Sequence, residues 1–215
     1  MQIIEVKQFG KKRWKIFFEE KEPLVLYYGE CKKYHIQDGG DLSERDYQEI
    51  VSEILYKRAR ERMLYLIDSM DRTESQIREK LIQGGYPSAC IDQVISFGKR
   101  YRYLDDERYI HSYYQVKKRK KSLRAIEQDL MLKGISKELI REKLREVLEE
   151  DEEQKLMQAD FEEEQIQRFF EKKRKKILES EDTYKEWQKA CQSLYRKGFS
   201  YDKVCRVMER LKNEL

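Results

Sequence analysis

A chain of 215 residues has room for one large or two small domains, yet 41% charged against 39% hydrophobic residues, with a mean hydropathy of −0.95, leaves little for one thick core. The net charge of +4 is mild, but its 46 basic and 42 acidic residues are strongly segregated, so local blocks matter more than the total. Apolar runs such as "LVLYY" (Leu24 to Tyr28) fall far short of the roughly 20 residues of a membrane span, and "MQIIEVKQ" is too short and polar for a signal peptide, so a thin, extended, cytoplasmic protein is expected.

Residues 1 to 42 differ from all that follows. "IIEVKQFGKKRWKIFFEEKEPLVLYY" holds β-branched and aromatic residues in short runs, split at Phe9 to Lys12 and at Lys21 to Pro23, which predicts two or three antiparallel strands. "QDGGD" marks a turn, and Ser43 with Asp46 makes an S-x-x-D helix start. From there on the only proline is Pro87, and apolar residues recur at three and four: Tyr47, Ile50, Val51, Ile54, Leu55, then Met63, Leu66, Ile67, Met70. That pattern predicts helix nearly to the end.

Three glycines organise the helical part. Four residues before Gly85, Gly134 and Gly198 stand Leu81, Leu130 and Leu194; eight before stand Ile77, Ile126 and Ala190; one after stand Tyr86, Ile135 and Phe199. Six and ten after come Ile91 and Ile95, Ile140 and Leu144, Val204 and Met208. Five matched apolar positions arise by chance on the order of once in a hundred per copy. A threefold repeat of helix, glycine stop and helix is predicted, each stop closed by the apolar residue after the glycine folding back on the leucine. Pro87, Ser136 and Ser200 suit the next helix start, and Thr73 with Gln76 forms a capping box.

A longer helix leads each copy, at about 44 to 70, 105 to 121 and 151 to 178. The expected fold is therefore mainly α, with tandem three-helix repeats in an elongated array behind a small β-rich segment. The divisions are 1–42, 43–104, 105–150 and 151–215.

The second and third leading helices begin with "DDE" (Asp105 to Glu107) and "DEE" (Asp151 to Glu153), and both end in "KKRKK": Lys117, Lys118, Arg119, Lys120 and Lys121, then Lys172, Lys173, Arg174, Lys175 and Lys176. Acid at the start and base at the end complement the helix dipole. Five consecutive helical residues also go right round the wheel, so each pentad is expected as an exposed collar on its helix. Helix-end filler and anion contact both remain readings, although five adjacent bases exceed what capping needs. A second basic stretch, "KRYRYLDDERYIHSYY" (Lys99 to Tyr114), interleaves Arg100, Arg102 and Arg108 with tyrosines, a mixture suited to phosphates and bases or to an acidic protein surface. Tyr109, Ile110, Tyr113 and Val116 are spaced for one buried helix face.

Cys31, Cys90, Cys191 and Cys205 form no CxxC, and with only His35 and His111 beside them no zinc set assembles, so neither metal nor cofactor is expected. Cys90, Cys191 and Cys205 sit among helical apolar positions and read as reduced, buried thiols. No phosphate loop, nucleophile elbow or histidine-nucleophile pair occurs. The glutamates of "EEDEE" (Glu149 to Glu153) and "FEEEQ" (Phe161 to Gln165) read as solvated helix faces, with pairs such as Glu164 and Arg168.

"RTESQIREKLIQGGY", "YRYLDDERYIHSYY" and "SLRAIEQDLMLKGISKELI" resemble successive signature segments of the RecX family, bacterial regulators of the recombinase RecA, and "RKGFSYDKV" is similar to that family's C-terminal segment. The resemblance covers about residues 44 to 213, with "LDDERY" (Leu104 to Tyr109) its most telling part. It implies an elongated curved array of three-helix repeats, a monomeric, non-catalytic regulator that lies in the groove of the RecA filament on DNA and suppresses its ATPase and strand exchange. The alternative is a helical protein that binds nucleic acid directly. Acidic blocks favour the first, because naked DNA repels them, and leave to DNA a weak electrostatic contact.

Overall fold

The structure is a computed structural model that describes residues 1–149 and 152–213. The chain forms two compact units, Met1–Asp106 and Glu107–Leu215.

The first unit opens with an antiparallel sheet of β1 (Ile3–Gln8), β2 (Arg13–Phe18) and β3 (Leu24–Tyr27), in that order. Ile3, Ile16, Leu24 and Leu26 are fully buried on the face that meets the helices. The outer edge of β1 is not open: Ile3 N–H donates to Gly40 O at 2.8 Å and Val6 N–H to Asp38 Oδ1 at 2.6 Å, which removes the unpaired row that invites aggregation. One helix, α1 (Tyr28–Lys33), was not expected in this segment. "LVLYY" reads as strand through Tyr28, but Glu30 accepts the Tyr27 N–H at 2.7 Å and turns the chain one residue earlier.

The leading helix of this unit is continuous over α2 (Glu44–Glu49), a π-helical segment (Ile50–Leu55) and α3 (Tyr56–Ser69). Ser43 caps it, its Oγ accepting Asp46 N–H at 3.0 Å. Tyr47, Val51, Leu55, Ala59 and Met63 are all buried. With about 3.6 residues per α-turn, such four-residue steps would drift round the helix by about 40° each. The wider π turn unwinds that drift and keeps the stripe on the core.

Next come α4 (Glu74–Gly84) and α5 (Ser88–Arg100), with Thr73 and Gln76 forming the expected reciprocal cap at 3.2 Å in each direction. The second unit holds all but the first residue of α6 (Asp106–Lys117), then α7 (Leu123–Leu132), α8 (Lys137–Glu149), α9 (Glu152–Leu178), α10 (Thr183–Arg196) and α11 (Tyr201–Asn213). Counting the leading helix once, nine helices follow α1 among the described residues.

The repeat is borne out in the backbone. Gly85, Gly134 and Gly198 take φ of 81°, 82° and 88°. Tyr86, Ile135 and Phe199 donate N–H to the carbonyls of Leu81, Leu130 and Leu194 at 3.3, 3.3 and 3.2 Å. The three leucines are buried, as are Ile77, Ile126 and Ala190.

Two expectations about α6 need correcting. The helix stops at Lys117 rather than at 121, and its buried face is carried by Ile110 and Tyr114, while Val116 is 62% exposed. Val116 lies two residues, hence about 160° by the shorter way, round the helix from Tyr114. The four cysteines are free thiols; Cys31, Cys90 and Cys191 are buried and Cys205 is half-buried. Burial pushes the Cys90 thiol up to about 11. No helix among the described residues is long and apolar enough to cross a membrane. The "DEE" opening and the centre of "EEDEE" fall on residues 150 and 151, outside the described residues.

Candidate anion-binding groove

The two pentads are not equivalent. Lys172 to Lys176 lie in α9 and are exposed all round, as a helical collar should be. Of Lys117 to Lys121 only the first residue is helical. The others fold into a tight turn, with Lys120 N–H and Lys121 N–H both donating to Lys117 O at 2.8 and 3.0 Å. This turn has a cause in Ser122, whose extended backbone (φ −65°, ψ 155°) caps α7 by accepting Ala125 N–H at 3.3 Å.

The turn is then clamped from far along the chain. Buried Gln158 on α9 donates its Nε2 to Lys121 O at 3.0 Å. One turn on, buried Glu162 accepts Leu123 N–H at 2.9 Å and the Lys203 ammonium at 2.7 Å, tying α7, α9 and α11 together. The Ser122 hydroxyl lies within 3.2 Å of Gly198 O and 3.3 Å of Lys197 O, so the glycine turn between α10 and α11 rests against the start of α7.

An open groove of about 610 Å³ results. Lys120 and Lys121 from the first pentad reach it, as do Lys172 and Lys173 from the second, with Arg168 and Lys197. Among the described residues no carboxylate lines it. Its floor is Phe161, Phe169, Leu194 and Phe199, and the Lys197 ammonium sits 4.5 Å from the centre of the Phe169 ring. Lys121 also pairs with Asp129, which accepts the Tyr113 hydroxyl at 2.8 Å. Burial alone would raise Asp129, but these two donors outweigh it and hold the carboxyl below its ordinary range.

The remaining sequence candidates point elsewhere. The Lys117 ammonium lies 5.8 Å from the Tyr113 ring, and Arg119 lies 3.8 Å from the Met157 sulfur. Lys175 and Lys176 pair with Glu179 and Glu186 at 3.9 and 3.3 Å, and Arg174 is exposed outside the groove lining. Arg168 and Lys197 belong to no basic run, so a search for charge blocks passes over them. The available signal was the α9 stripe Phe161, Gln165, Arg168, Lys172, spaced four, three and four.

Arg100 and Arg102 belong to the first unit and Arg108, exposed in the first turn of α6, to the second. Around the first two, Tyr101 and Tyr103 are 56% and 45% exposed, and their rings cluster with Phe97 at 4.8 and 5.9 Å, the Arg60 guanidinium standing 5.4 Å from the Phe97 ring. Arg102 has φ of 56°, the left-handed conformation that glycine fills at the repeat stops. Since that conformation costs an L-residue roughly 1 to 2 kcal/mol, Arg102→Gly is expected to raise unfolding stability by about 1 kcal/mol in a urea titration. A loss of stability would show that the arginine side chain holds the turn. Beyond the turn, Leu104 is buried against Gly98, and Asp106 Oδ1 accepts Glu74 N–H at 3.0 Å, so "LDDERY" ties the end of α5 back to the start of α4.

Residues 59–97, 105–144 and 161–208 match the family models for the first, second and third three-helix domains of RecX. The chain belongs to the RecX family. Its relatives include the regulatory protein RecX of Clostridioides difficile, 26% identical over 98% of this chain and 94% of that one, and that of Clostridium perfringens strain SM101, 27% identical over 98% and 95%. Similarity to RecX of Clostridium tetani is 28% but spans only 62% of either chain. A crystal structure of regulatory protein RecX superposes with a TM-score of 0.61 at 24% identity, covering 97% of this chain and 98% of that one. RecX from Lactobacillus salivarius gives 0.59 at 19% over 74% and 97%. These two show a shared fold. Within the RecX matches, the groove draws Lys120, Lys121, Ser122 and Ala125 from the second domain and its α9 and α10 walls, with the glycine turn after α10, from the third, while Arg100 and Arg102 fall between the first and second.

Proposed function

We propose that this RecX-family chain is a cytoplasmic, monomeric regulator that binds the RecA filament on DNA and mostly inhibits its ATPase and strand exchange, with no catalytic reaction of its own. The relatives are named as regulatory proteins, which supports the class. The observation that carries a docking role is the groove: six cations and, among the described residues, no carboxylate at one place in a chain of nearly balanced charge.

The test is ATP hydrolysis by a DNA-bound recombinase at substoichiometric amounts of this protein. Parent protein should slow hydrolysis. A Lys120→Gln, Lys172→Gln, Lys173→Gln variant should need about tenfold more protein for the same effect, a shift of about 1.4 kcal/mol, and should melt like the parent because none of the three pairs with an acid among the described residues. Equal inhibition by the variant and the parent would leave the groove cations with no part in regulation.

Direct nucleic-acid binding stands as a second reading because of the exposed Tyr101 and Tyr103 rings with Arg60 and Arg100 beside them. It predicts binding to naked single strands with a log-log salt slope of about −0.7 per neutralised phosphate.

A further inference from the structure

We infer that the groove of the second unit takes an acidic segment of a partner protein in which carboxylates alternate with apolar side chains. This rests on the docking role proposed above and names the chemistry that the partner presents. Of the six groove cations, Arg168 pairs with Glu164 and Lys121 with Asp129. Lys120, Lys172, Lys173 and Lys197 have no acidic partner among the described residues, so the rim carries uncompensated positive charge. Anions are attracted to such a rim whatever their source.

The floor decides between sources. A phosphate backbone needs no apolar floor, and a nucleic acid would use this one only by stacking bases on open ring faces. Lys197 already stands over Phe169, while Phe199 and Leu194 are buried and offer only their margins. What remains is the half-buried Phe161, a single ring where a run of bases would need several, and it offers apolar surface for aliphatic side chains next to ammonium groups for the carboxylates between them. A volume of about 610 Å³ lies in the range of built ligand sites. The walls are also fixed beforehand, because buried Glu162 holds the start of α7 and Lys203 of α11 to α9, which lowers the ordering cost of binding.

The experiment uses the full chain and three fluorescein-labelled probes of equal net charge in near-physiological salt: a short peptide alternating Glu with Leu, one alternating Glu with Ser, and an oligothymidylate. The Glu-Leu peptide should bind at least about tenfold more tightly than either other probe. Lys172→Gln with Lys173→Gln should remove most of that binding at unchanged melting temperature, and Phe161→Ala should narrow the gap between the two peptides. Tightest binding of the oligothymidylate would assign the groove to nucleic acid and overturn the inference. So would peptide binding that ignores the two glutamines. If the parent inhibits the recombinase but binds neither peptide, this inference fails and the regulatory role stands; if the Glu-Leu peptide binds but no inhibition occurs, the reverse holds.

Discussion

Gly85→Ala is expected to cost the first unit about 2 to 5 kcal/mol of unfolding free energy. Two effects add. The left-handed backbone there, with φ of 81°, costs any residue with a Cβ roughly 1 to 2 kcal/mol. The new Cβ would also lie 2.4 Å from Val25 Cγ2 and 3.3 Å from Val25 Cβ. Val25 cannot easily yield, since β3 is paired along β2 and the Val25 carbonyl accepts the Arg58 guanidinium at 3.3 Å; forced overpacking of this kind costs roughly 1 to 3 kcal/mol. The same change at Gly198 meets nothing closer than Ser122 Oγ at 3.0 Å and should cost less. Urea titrations of both variants, and of Gly85→Ala in a Val25→Ala background, provide the check. If the background change recovers nothing, β3 does not pack on the first glycine turn.

Leu130→Ala should cost about 2 to 5 kcal/mol as a core truncation. Leu130 is fully buried among Ile110, Tyr114, Ile126 and Ile140, and its carbonyl accepts the Ile135 N–H that closes the glycine stop. Removing the side chain leaves a cavity under the very turn that sets the angle between α7 and α8. A change below half a kcal/mol in the same titration would place Leu130 outside the core and undo the repeat alignment.

These two residues were legible because a left-handed stop needs glycine and its apolar partner at fixed offsets, so the signal is local. The end of α6 was not. No glycine or proline marks it, and four basic residues with good helix propensity, Lys118 to Lys121, run on past it. The stop is enforced by Ser122 together with Gln158 and Glu162, 36 to 40 residues further on. The site divides in the same way. The pentads stand out as charge blocks, but their meeting at one groove depends on where the third glycine turn lands against α7, and Lys197 reads as an ordinary surface lysine until that turn is in place. Val116 shows the opposite error, where a regular spacing of three from Tyr113 leads to the side of the helix away from the buried Ile110 and Tyr114.

The π-helical segment over Ile50–Leu55 also bears on how sequences of this kind are compared. A wide turn of this sort holds, in effect, one more residue than an α-turn between the same two flanks. A homologous chain one residue shorter at this point could run as unbroken α-helix from the same Ser43 cap and still bring the positions of Ala59 and Met63 to the core. A single-residue gap in an alignment here therefore marks a change of winding inside one helix, and the loops on either side are the wrong places to move it.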